Sequence, residues 1–369
     1  MPAAEFFGLG GNRMDAAGQQ RIVRAEDVAV MGITEVILHM PHIYSKYRQL
    51  VGSLQARRPD VAVLIDFPDV NFRLAKELNK LGVPVVWFVS PQLWAWKRSR
   101  LRWVQQRVDR MMVIFPFEEA FYRARGVQAE FVGHPLAEIP LPASNRADYA
   151  SRWGLDASLP WIALLPGSRK KEVAANLGEM LQAAKQLSQT QQCQYLLPVA
   201  STLGTDWVRE QISSESPKVI LVDDAREAMH HARASVVASG TATVQGAIIG
   251  NPFVVVYRVS NMTYRVAKRL VRYPAEIPAQ HDESGNLPVS MVNLIAGHRA
   301  VPELLQERFT GANVAAALLP LLADGPERRA MMEDLVEVRA KLLPAHRSGA
   351  DETAIQQVAT AVEGLLKPI

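Results

Sequence analysis

The sequence predicts an α/β protein built on parallel β-sheets, and two observations lead to this prediction. Apolar strand-like runs alternate with helical patterns almost throughout the chain, as in parallel sheets covered by helices. Two of these runs stop abruptly at polar residues, as buried parallel strands do where a sheet presents its functional groups. They are Val61–Ile65, followed by Asp66, and Trp161–Leu165, followed by Pro166-Gly167-Ser168-Arg169.

The strand and helix predictions follow from apolar runs and from helical periodicity. The predicted strands are Glu5–Gly8, Val61–Ile65, Val83–Val89, Arg110–Ile114, Glu130–Val132, Trp161–Leu165, Gln194–Pro198, Lys218–Val222, Ala234–Ala238 and Pro252–Tyr257. The helical patterns between them include Asn71–Leu81, Glu118–Arg125, Glu172–Leu187 and Thr205–Ser214.

The chain has 369 residues, too many for one typical core, so we expect two Rossmann-like parallel-sheet domains that face a cleft. The proline-rich segment Pro135–Pro160 interrupts the alternation and indicates an interdomain linker. The expected units are residues 1–140, residues 141–345 and a C-terminal helix within residues 346–369. In that helix, apolar residues such as Val358 and Val362 have the spacing of a face that packs back on the first domain.

Composition restricts the function classes only mildly. The 41 basic and 37 acidic residues give a net charge of +4, which suits an anionic substrate or a membrane surface. This excess does not by itself indicate nucleic acid. The single cysteine, Cys193, excludes an internal disulfide framework and favours a reducing compartment. Because no signal-peptide pattern and no apolar run of membrane-span length occur, we expect a cytoplasmic protein with at most peripheral membrane contact.

Asp66 is the candidate general base. It follows a predicted strand at the sheet edge where catalytic groups are usually presented, and a carboxylate there can take a proton from a hydroxyl. Asp69 and Asn71 also have a structural interpretation, because either could cap the helix that starts beyond Pro68. Asp66 lies too early in the chain for that role.

The second polar junction is suited to phosphate. Gly167 lets the backbone approach an anion, and the helix that follows directs free N–H groups towards it. Arg169 could bind two phosphate oxygens at once. Ser239-Gly240-Thr241 repeats this pattern after another predicted strand. The alternative is an ordinary strand–turn–helix with a solvated arginine.

No cofactor or metal is predicted. Gly8-Leu9-Gly10-Gly11 resembles half of a dinucleotide-binding fingerprint, but the third glycine is absent and no clear helix follows, so a tight turn is favoured over an NAD site. No two aspartates have D-x-D spacing, and no His or Cys cluster has the spacing of metal ligands.

Two segments could contact lipid. Ile33, Val36, Ile37 and Met40 form an apolar helical stripe, which is either core or a surface for acyl chains or membrane. The segment Trp94–Trp103 interleaves aromatic and basic residues. Nucleic acid, a solvated helix face and lipid phosphates are all compatible with that second pattern.

Taken together, these motifs point to one family. The stretches that carry the resemblance are Ala29–Val36, Ile65–Asn71, Val89–Trp96, Phe131–Pro135, Leu164–Arg169, Ala238–Thr243 and Val292–Gly297. They resemble the lipid-A-disaccharide synthases, a family of glycosyltransferase-B fold, in order along nearly the whole chain. The resemblance implies transfer of a diacylglucosamine from UDP-2,3-diacylglucosamine to the 6-hydroxyl of 2,3-diacylglucosamine 1-phosphate. The products would be the β-1,6-linked lipid A disaccharide 1-phosphate and UDP, without a metal.

Site residues also follow from the resemblance. Asp66 matches the proposed base, Arg169 an essential arginine, and Asn293 an asparagine of the nucleotide-side motif. The expected UDP-sugar contacts are Gly167, Ser168, Arg169, Ser239, Gly240, Thr241, Gln245 and Asn293. The expected acceptor and lipid contacts are Met31, Ile33, Val36, Ile37, Met40, Asp69, Asn71, Trp94, Trp96 and Arg98. We expect a location at the inner face of the inner membrane and leave assembly into a homo-oligomer open.

The chain departs from the family pattern in two places. The family opens with a strand and a Gly-Glu-Ser-Gly-Asp type loop that this sequence lacks, so we expect a shortened first domain and low activity. Gln245 stands where the family usually has Glu, and a neutral partner for ribose hydroxyls lowers the expected nucleotide affinity. The alternative functions are a UDP-sugar epimerase of the same fold and a non-catalytic or degenerate nucleotide-sugar-binding remnant.

Overall fold

The computed structural model describes residues 4–28, 33–213, 215–344 and 352–366, with only the backbone described for residues 33–39. Within these residues the strands form a four-stranded sheet, a six-stranded sheet and a separate two-stranded sheet, and every strand pair is parallel. Each of the two larger sheets alternates with helices along the chain. The predicted α/β class with parallel sheets is confirmed.

The elements of the first half come in the following order. They are β1 (Phe7–Gly10), α1 (Asn12–Ala16), β2 (Gln20–Arg24), α2 (Ile33–Arg57), β3 (Ala62–Ile65), α3 (Pro68–Lys80), β4 (Val85–Phe88), α4 (Leu101–Arg107), β5 (Arg110–Val113), α5 (Pro116–Arg123) and β6 (Ala129–Phe131). The helices α6 (Pro135–Glu138) and α7 (Arg146–Trp153) follow.

The second half contributes the remaining elements. They are β7 (Trp161–Leu165), α8 (Lys170–Thr190), β8 (Gln194–Pro198), α9 (Thr205–Glu210), β9 (Val219–Val222), α10 (Ala225–His231), β10 (Ala234–Ala238), α11 (Thr241–Ile249), β11 (Phe253–Tyr257), α12 (Asn261–Leu270), α13 (Met291–Ala296), β12 (Glu303–Leu305), α14 (Gly311–Leu322), α15 (Pro326–Leu342) and α16 (Ala354–Glu363).

The four-stranded sheet has the order β3-β4-β5-β6. All four residues of β4 are buried, and Trp87 at its centre lies 4.9 Å from the ring of Phe72 on α3. Because helices cover both faces of an inner parallel strand, such a strand is apolar throughout. At the edge of the sheet, β3 has Leu64 in the core but leaves Val63 and Ile65 exposed. Because β3 and β4 pair in parallel, with Ile65 opposite Phe88, their carboxyl ends lie side by side.

The six-stranded sheet has the order β12-β11-β10-β7-β8-β9. Its inner strands β7, β10 and β11 are almost completely buried, and Leu164 pairs with Val236, which in turn pairs with Val254. Strands β7 and β10 are adjacent and parallel, so the loops that follow them lie at the same edge of the sheet. The turns at Gly167 and at Gly240 therefore share one edge.

The predicted strands agree with the structure more closely than the connections do. Each predicted strand overlaps an observed one, but the strands Gln20–Arg24 and Glu303–Leu305 were not predicted. The expectation that no helix follows the first glycine cluster is wrong, because α1 begins at Asn12. The segment Pro135–Pro160 contains α6 and α7, and α9 ends earlier than predicted, with Ser214 outside the described residues.

Two sets of contacts join the halves. The backbone N–H of His134 donates to the carbonyl of Leu342 at 2.8 Å, and the first turn of α16 contacts Glu138 through the backbone N–H of Ala354. On the other side, Trp94 lies 5.6 Å from the ring of Tyr273. The described helices include none with the length and apolarity to cross a membrane.

Candidate active site

The chain leaves β3 through a strained turn at Asp66. Asp66 and Phe67 both have a φ of 44°, a left-handed conformation that is unfavourable for residues other than glycine. Strain of this kind is often found at functional sites. The backbone N–H of Asp66 still donates to the carbonyl of Phe88 at 3.0 Å, so strand pairing continues up to the turn. The side chain of Asp66 is exposed, and its carboxylate is accessible to a substrate.

Asn71, on helix α3, stabilises this turn through its side-chain amide. The side chain is only 7% exposed, and its Nδ2 donates to the carbonyls of Ile65 at 3.1 Å and Asp66 at 2.6 Å. Helix α3 begins at Pro68 without a side-chain cap, so the expectation that Asp69 or Asn71 caps it is wrong. Asn71 is a positioning residue for Asp66, and not an exposed contact for the acceptor.

Asp69 lies at the mouth of a cavity of about 390 Å³ between α2, α3 and α4. Its carboxylate is exposed and accepts a hydrogen bond from Arg100 Nη1 at 2.9 Å. The cavity is lined by Tyr47, Asp69, Phe72, Arg73, Lys76, Glu77, Arg100, Trp103 and Arg107. Four of these side chains are cationic and two are acidic, so the cavity carries a net positive charge that favours an anion.

The loop after β4 is anchored by a buried carboxylate. Ser90 Oγ donates to Glu118 Oε1 at 2.7 Å, and Trp94 Nε1 donates to the same oxygen at 3.0 Å. Burial raises the pKa of Glu118 to about 7, although these hydrogen bonds oppose the shift. Trp94 is 2% exposed, so the expectation that it contacts the acceptor or lipid is wrong. It is a core residue that fixes the loop.

Trp96 and Arg98, in contrast, remain on the surface. Trp96 is 46% exposed, and the Nζ atom of Lys97 lies 4.0 Å from the centre of its ring. Arg98 Nη2 donates to the carbonyl of Trp94 at 3.2 Å. These two predicted contacts are therefore accessible to a ligand or a membrane.

The apolar stripe predicted for lipid falls largely outside what the structure describes. Met31 lies outside the described residues, and for Ile33, Val36 and Ile37 only the backbone is described. Helix α2 begins at Ile33 and continues through Pro41 to Arg57. Met40 is 45% exposed.

The predicted anion cradle follows β7. Gly167 has a φ of 129°, and a Cβ at this position would lie 2.5 Å from Cβ of Glu172, so a larger residue does not fit. The carboxylate of Glu172 accepts from the backbone N–H of Ser168 at 3.0 Å and from Arg169 Nη1 at 2.8 Å. Arg169 is more than half exposed. A carboxylate of the protein therefore accepts hydrogen bonds from the groups predicted to bind phosphate.

The turn after β10 is open. Gly240 has a φ of 147°, and no heavy atom lies within 4 Å of the position where a Cβ would stand. Its carbonyl accepts a hydrogen bond from Thr243 Oγ1 at 2.7 Å, which closes the first turn of α11. Gly240 and Thr241 are exposed, whereas Ser239 and Gln245 are half-buried. A ligand can therefore approach the backbone at the start of α11.

Asn293 lies in the interior. It is 1% exposed, its Nδ2 donates to the carbonyl of Val301 at 3.0 Å and to Glu303 Oε1 at 2.8 Å, and its Oδ1 accepts from the N–H of Val301 at 2.9 Å. The side chain is fully engaged with the protein. The amide joins α13 to Val301 and Glu303, and at 1% exposure it is not accessible to UDP in this structure.

Three carboxylates were missed by sequence reasoning. Glu118 and Glu303 are buried and accept several hydrogen bonds each. The identity of one acidic residue in a sequence does not show whether it is buried. Glu172 had a signal, because it stands three residues after Arg169 at the start of a helix, where ion pairs form. Among the described residues, no group of three or more His, Cys, Asp or Glu side chains could hold a metal ion.

Comparison with known proteins identifies the family. A family model described as Lipid-A-disaccharide synthetase matches residues 1–358. The lipid-A-disaccharide synthase of Acidobacterium capsulatum is 54% identical over 353 residues, covering 92% of this chain and 84% of that protein. The corresponding protein of Koribacter versatilis is 48% identical over 361 residues, covering 97% and 90%.

The chain belongs to the lipid-A-disaccharide synthase family. It is a glycosyltransferase of lipid A biosynthesis, as the sequence resemblance implied. The structure agrees at the level of fold. The glycotransferase of kitacinnamycin matches with a TM-score of 0.59 at 14% identity, covering 99% of this chain and 92% of that chain. The predicted glycosyltransferase-B type architecture is confirmed.

Glycosyl transfer makes two chemical demands on an active site. A sugar hydroxyl must lose a proton as it attacks, and a departing nucleoside diphosphate develops negative charge. Asp66 offers a carboxylate on the first sheet, and the turns at Gly167 and Gly240 offer backbone donors and Arg169 on the second. The family model that matches this chain is not that of a UDP-sugar epimerase, which was the alternative of the same fold.

Proposed function

We propose that the chain transfers 2,3-diacylglucosamine from its UDP-activated form to the 6-hydroxyl of 2,3-diacylglucosamine 1-phosphate, with Asp66 as the general base. The observation that carries this proposal is the turn at Asp66, which is strained, exposed and held by the buried amide of Asn71. A base must be held in a defined position relative to the proton that it removes. Asp66 takes the hydroxyl proton as the oxygen attacks the donor sugar.

The donor's diphosphate binds to the second half in this proposal. Arg169 exchanges Glu172 for two phosphate oxygens, since the pair is largely exposed and contributes little stability of its own. Ser168 and the turn at Gly240 supply backbone N–H groups at the starts of α8 and α11. Gln245 faces the ribose as a neutral hydrogen-bonding partner. Positive charge and helix dipoles stabilise UDP as it leaves.

The acceptor binds to the first half. Its 1-phosphate is suited to the positively charged cavity beside Asp69, and its acyl chains to the exposed side chains of Met40 and Tyr44 on α2. We propose peripheral contact with the inner face of the inner membrane, because both substrates carry acyl chains. We propose that the acceptor-side domain ends near residue 140 and the donor-side domain near residue 345.

The variant Asp66→Asn tests the proposed base. Asparagine keeps the size of the side chain but cannot accept the proton, so turnover should fall about 10²–10⁴-fold while UDP affinity by calorimetry stays unchanged. Asp60→Asn is the matched control, because Asp60 is exposed at the opposite end of β3. Near-normal turnover in Asp66→Asn would remove Asp66 from the mechanism.

A further inference from the structure

Helix α12 exposes an apolar stripe that no other part of the described chain covers. None of its ten residues is buried. Met262 is 75% exposed, Val266 48% and Leu270 61%, and their spacing of four residues places them along one face. The helix is attached through Tyr264, whose hydroxyl donates to Asn286 Oδ1. Exposed apolar surface arranged in this way marks an interaction site.

Cations flank the stripe. Arg265, Lys268 and Arg269 lie on α12, and the helix has no acidic residue. Within the described part of the chain, none of these three side chains forms an ion pair with a carboxylate; Arg265 donates to the carbonyl of Asn261, and Lys268 to Ser284 and Asn286. An apolar stripe bordered by uncompensated Lys and Arg is typical of a helix that lies in the interface of an anionic membrane.

The segment after α12 is bonded to a loop of the first half. Just beyond α12, the backbone N–H of Arg272 donates to the carbonyl of Ala95 at 3.3 Å, and Arg98 donates to the carbonyl of Arg272. The exposed ring of Trp96, with Lys97 over it, belongs to the same loop. This loop follows β4, next to the strand that delivers Asp66. The exposed Trp96 and Lys97 therefore lie on a loop that is bonded to the segment after α12 and that follows the strand beside β3.

A second helix shows that exposed apolar pairs need not carry this charge pattern. On α15, Met332 is 40% exposed and Val336 66%, with the same residue types and the same spacing as Met262 and Val266. This helix carries four acidic residues (Glu327, Glu333, Asp334 and Glu337) and four basic ones (Arg328, Arg329, Arg339 and Lys341), so its net charge is zero, whereas α12 has only basic residues. A helix without net positive charge is not attracted to anionic lipid, so this pair offers an internal comparison.

We propose that α12, together with the Trp96–Arg98 loop, docks on the surface of an anionic phospholipid bilayer. Met262, Val266, Leu270 and Trp96 enter the interface between headgroups and acyl chains, while the flanking cations bind lipid phosphates. This inference rests on the proposed function, because acylated substrates reach the cleft from a membrane. It places the rim of the cleft at the bilayer surface and the second half in direct contact with lipid.

Vesicle sedimentation with the full chain tests the proposal. The vesicles contain phosphatidylcholine with one third phosphatidylglycerol, or phosphatidylcholine alone. The double variant Met262→Ser/Val266→Ser should bind the anionic vesicles at least tenfold more weakly than wild type, since each side chain removes apolar surface from lipid. The variant Arg265→Gln/Arg269→Gln should lose about fivefold for each charge, and only on anionic vesicles. The matched control Met332→Ser/Val336→Ser should bind as wild type does.

Each alternative outcome has a distinct signature. Unchanged vesicle binding in both α12 variants overturns the proposal, as does an equal loss in the α15 control. Unchanged vesicle binding with a change from dimer to monomer in light scattering would show that this face joins two copies. Glycosyl transfer by wild type in detergent micelles is measured in parallel. Its absence would refute the proposed function, whereas activity without a vesicle effect refutes only the docking surface.

Discussion

The side-chain amide of Asn71 donates to the backbone carbonyl of Asp66 at 2.6 Å. The second half uses the same device, because Asn176, which is 5% exposed, donates through Nδ2 to the carbonyl of Pro166 at 2.8 Å. In each half, a buried asparagine on the following helix donates to a carbonyl of the polar turn that follows the strand. Such bonds hold a turn in a geometry that its own backbone preferences do not favour.

Replacement of Asn71 should therefore reduce catalysis without removing a reacting group. In Asn71→Ala, the carbonyls of Ile65 and Asp66 lose their donor, and Asp66 is free to relax from its left-handed conformation. We expect kcat to fall about tenfold to a hundredfold, as for a small misplacement of a catalytic group, with UDP affinity unchanged. Steady-state kinetics and calorimetry measure both quantities.

A matched control for this change lies on the same helix. Asn79 donates through Nδ2 to the carbonyl of Gln106 at 3.2 Å on the surface, so Asn79→Ala should leave kcat within twofold of wild type. If folded Asn71→Ala retains full kcat, Asn71 supports only the fold.

Arg169→Lys should already impair the donor site. Lysine keeps the positive charge but loses the planar fork that can bind two phosphate oxygens, so we expect UDP affinity to fall about tenfold and kcat to fall with it. Arg209→Lys is the control, because Arg209 also pairs with a carboxylate three residues away, at 2.7 Å from Asp206, on an exposed helix. Equal UDP affinity in wild type and Arg169→Lys would contradict a bidentate role.

The pKa of Glu118, raised to about 7 by burial, predicts a pH-dependent stability. Its ordinary value is 4.5, so between these two pH values the folded protein holds a proton that the unfolded chain has released. The contribution of this proton to the free energy of unfolding is complete below about pH 4.5. It is lost as the pH rises from 4.5 to about 7, by up to roughly 3 kcal/mol. The melting temperature of wild type should fall by several degrees relative to Glu118→Gln across this range.

Thermal scans at several pH values measure this difference. Glu210→Gln changes an exposed carboxylate on α9 and serves as the control, which should follow wild type at every pH. A constant difference between wild type and Glu118→Gln from pH 4.5 to 7.5 would show that Glu118 does not take up the proton.

The exposed face of α2 should matter for acylated substrate. Met40 is 45% and Tyr44 55% exposed, one helical turn apart. In Met40→Ser/Tyr44→Ser we expect the KM for acylated acceptor to rise at least tenfold with the KM for the UDP-sugar unchanged, because apolar contact area is lost. Leu319→Ser, a change at a similarly exposed apolar residue on α14, is the control. A lower melting temperature with unchanged KM would place the pair in the folded core instead.

The sequence by itself determined the class of fold and the two polar edges. Strands such as Trp161–Leu165 are buried on both faces, so they are apolar at every position and can be recognised as continuous runs. The polar residues that end them are then recognised by contrast. In this way Asp66 and the turn at Gly167 were placed correctly at strand ends.

Tertiary structure alone decided which polar and aromatic side chains are available for chemistry. Trp94 and Trp96 stand two residues apart in one aromatic and basic segment, yet the first is buried against Glu118 and the second is exposed. Asn71 and Asn293 have the residue type of a ligand contact, but their amides are used by the backbone and by Glu303. Burial and hydrogen-bond partners come from residues distant in sequence, and no local pattern encodes them.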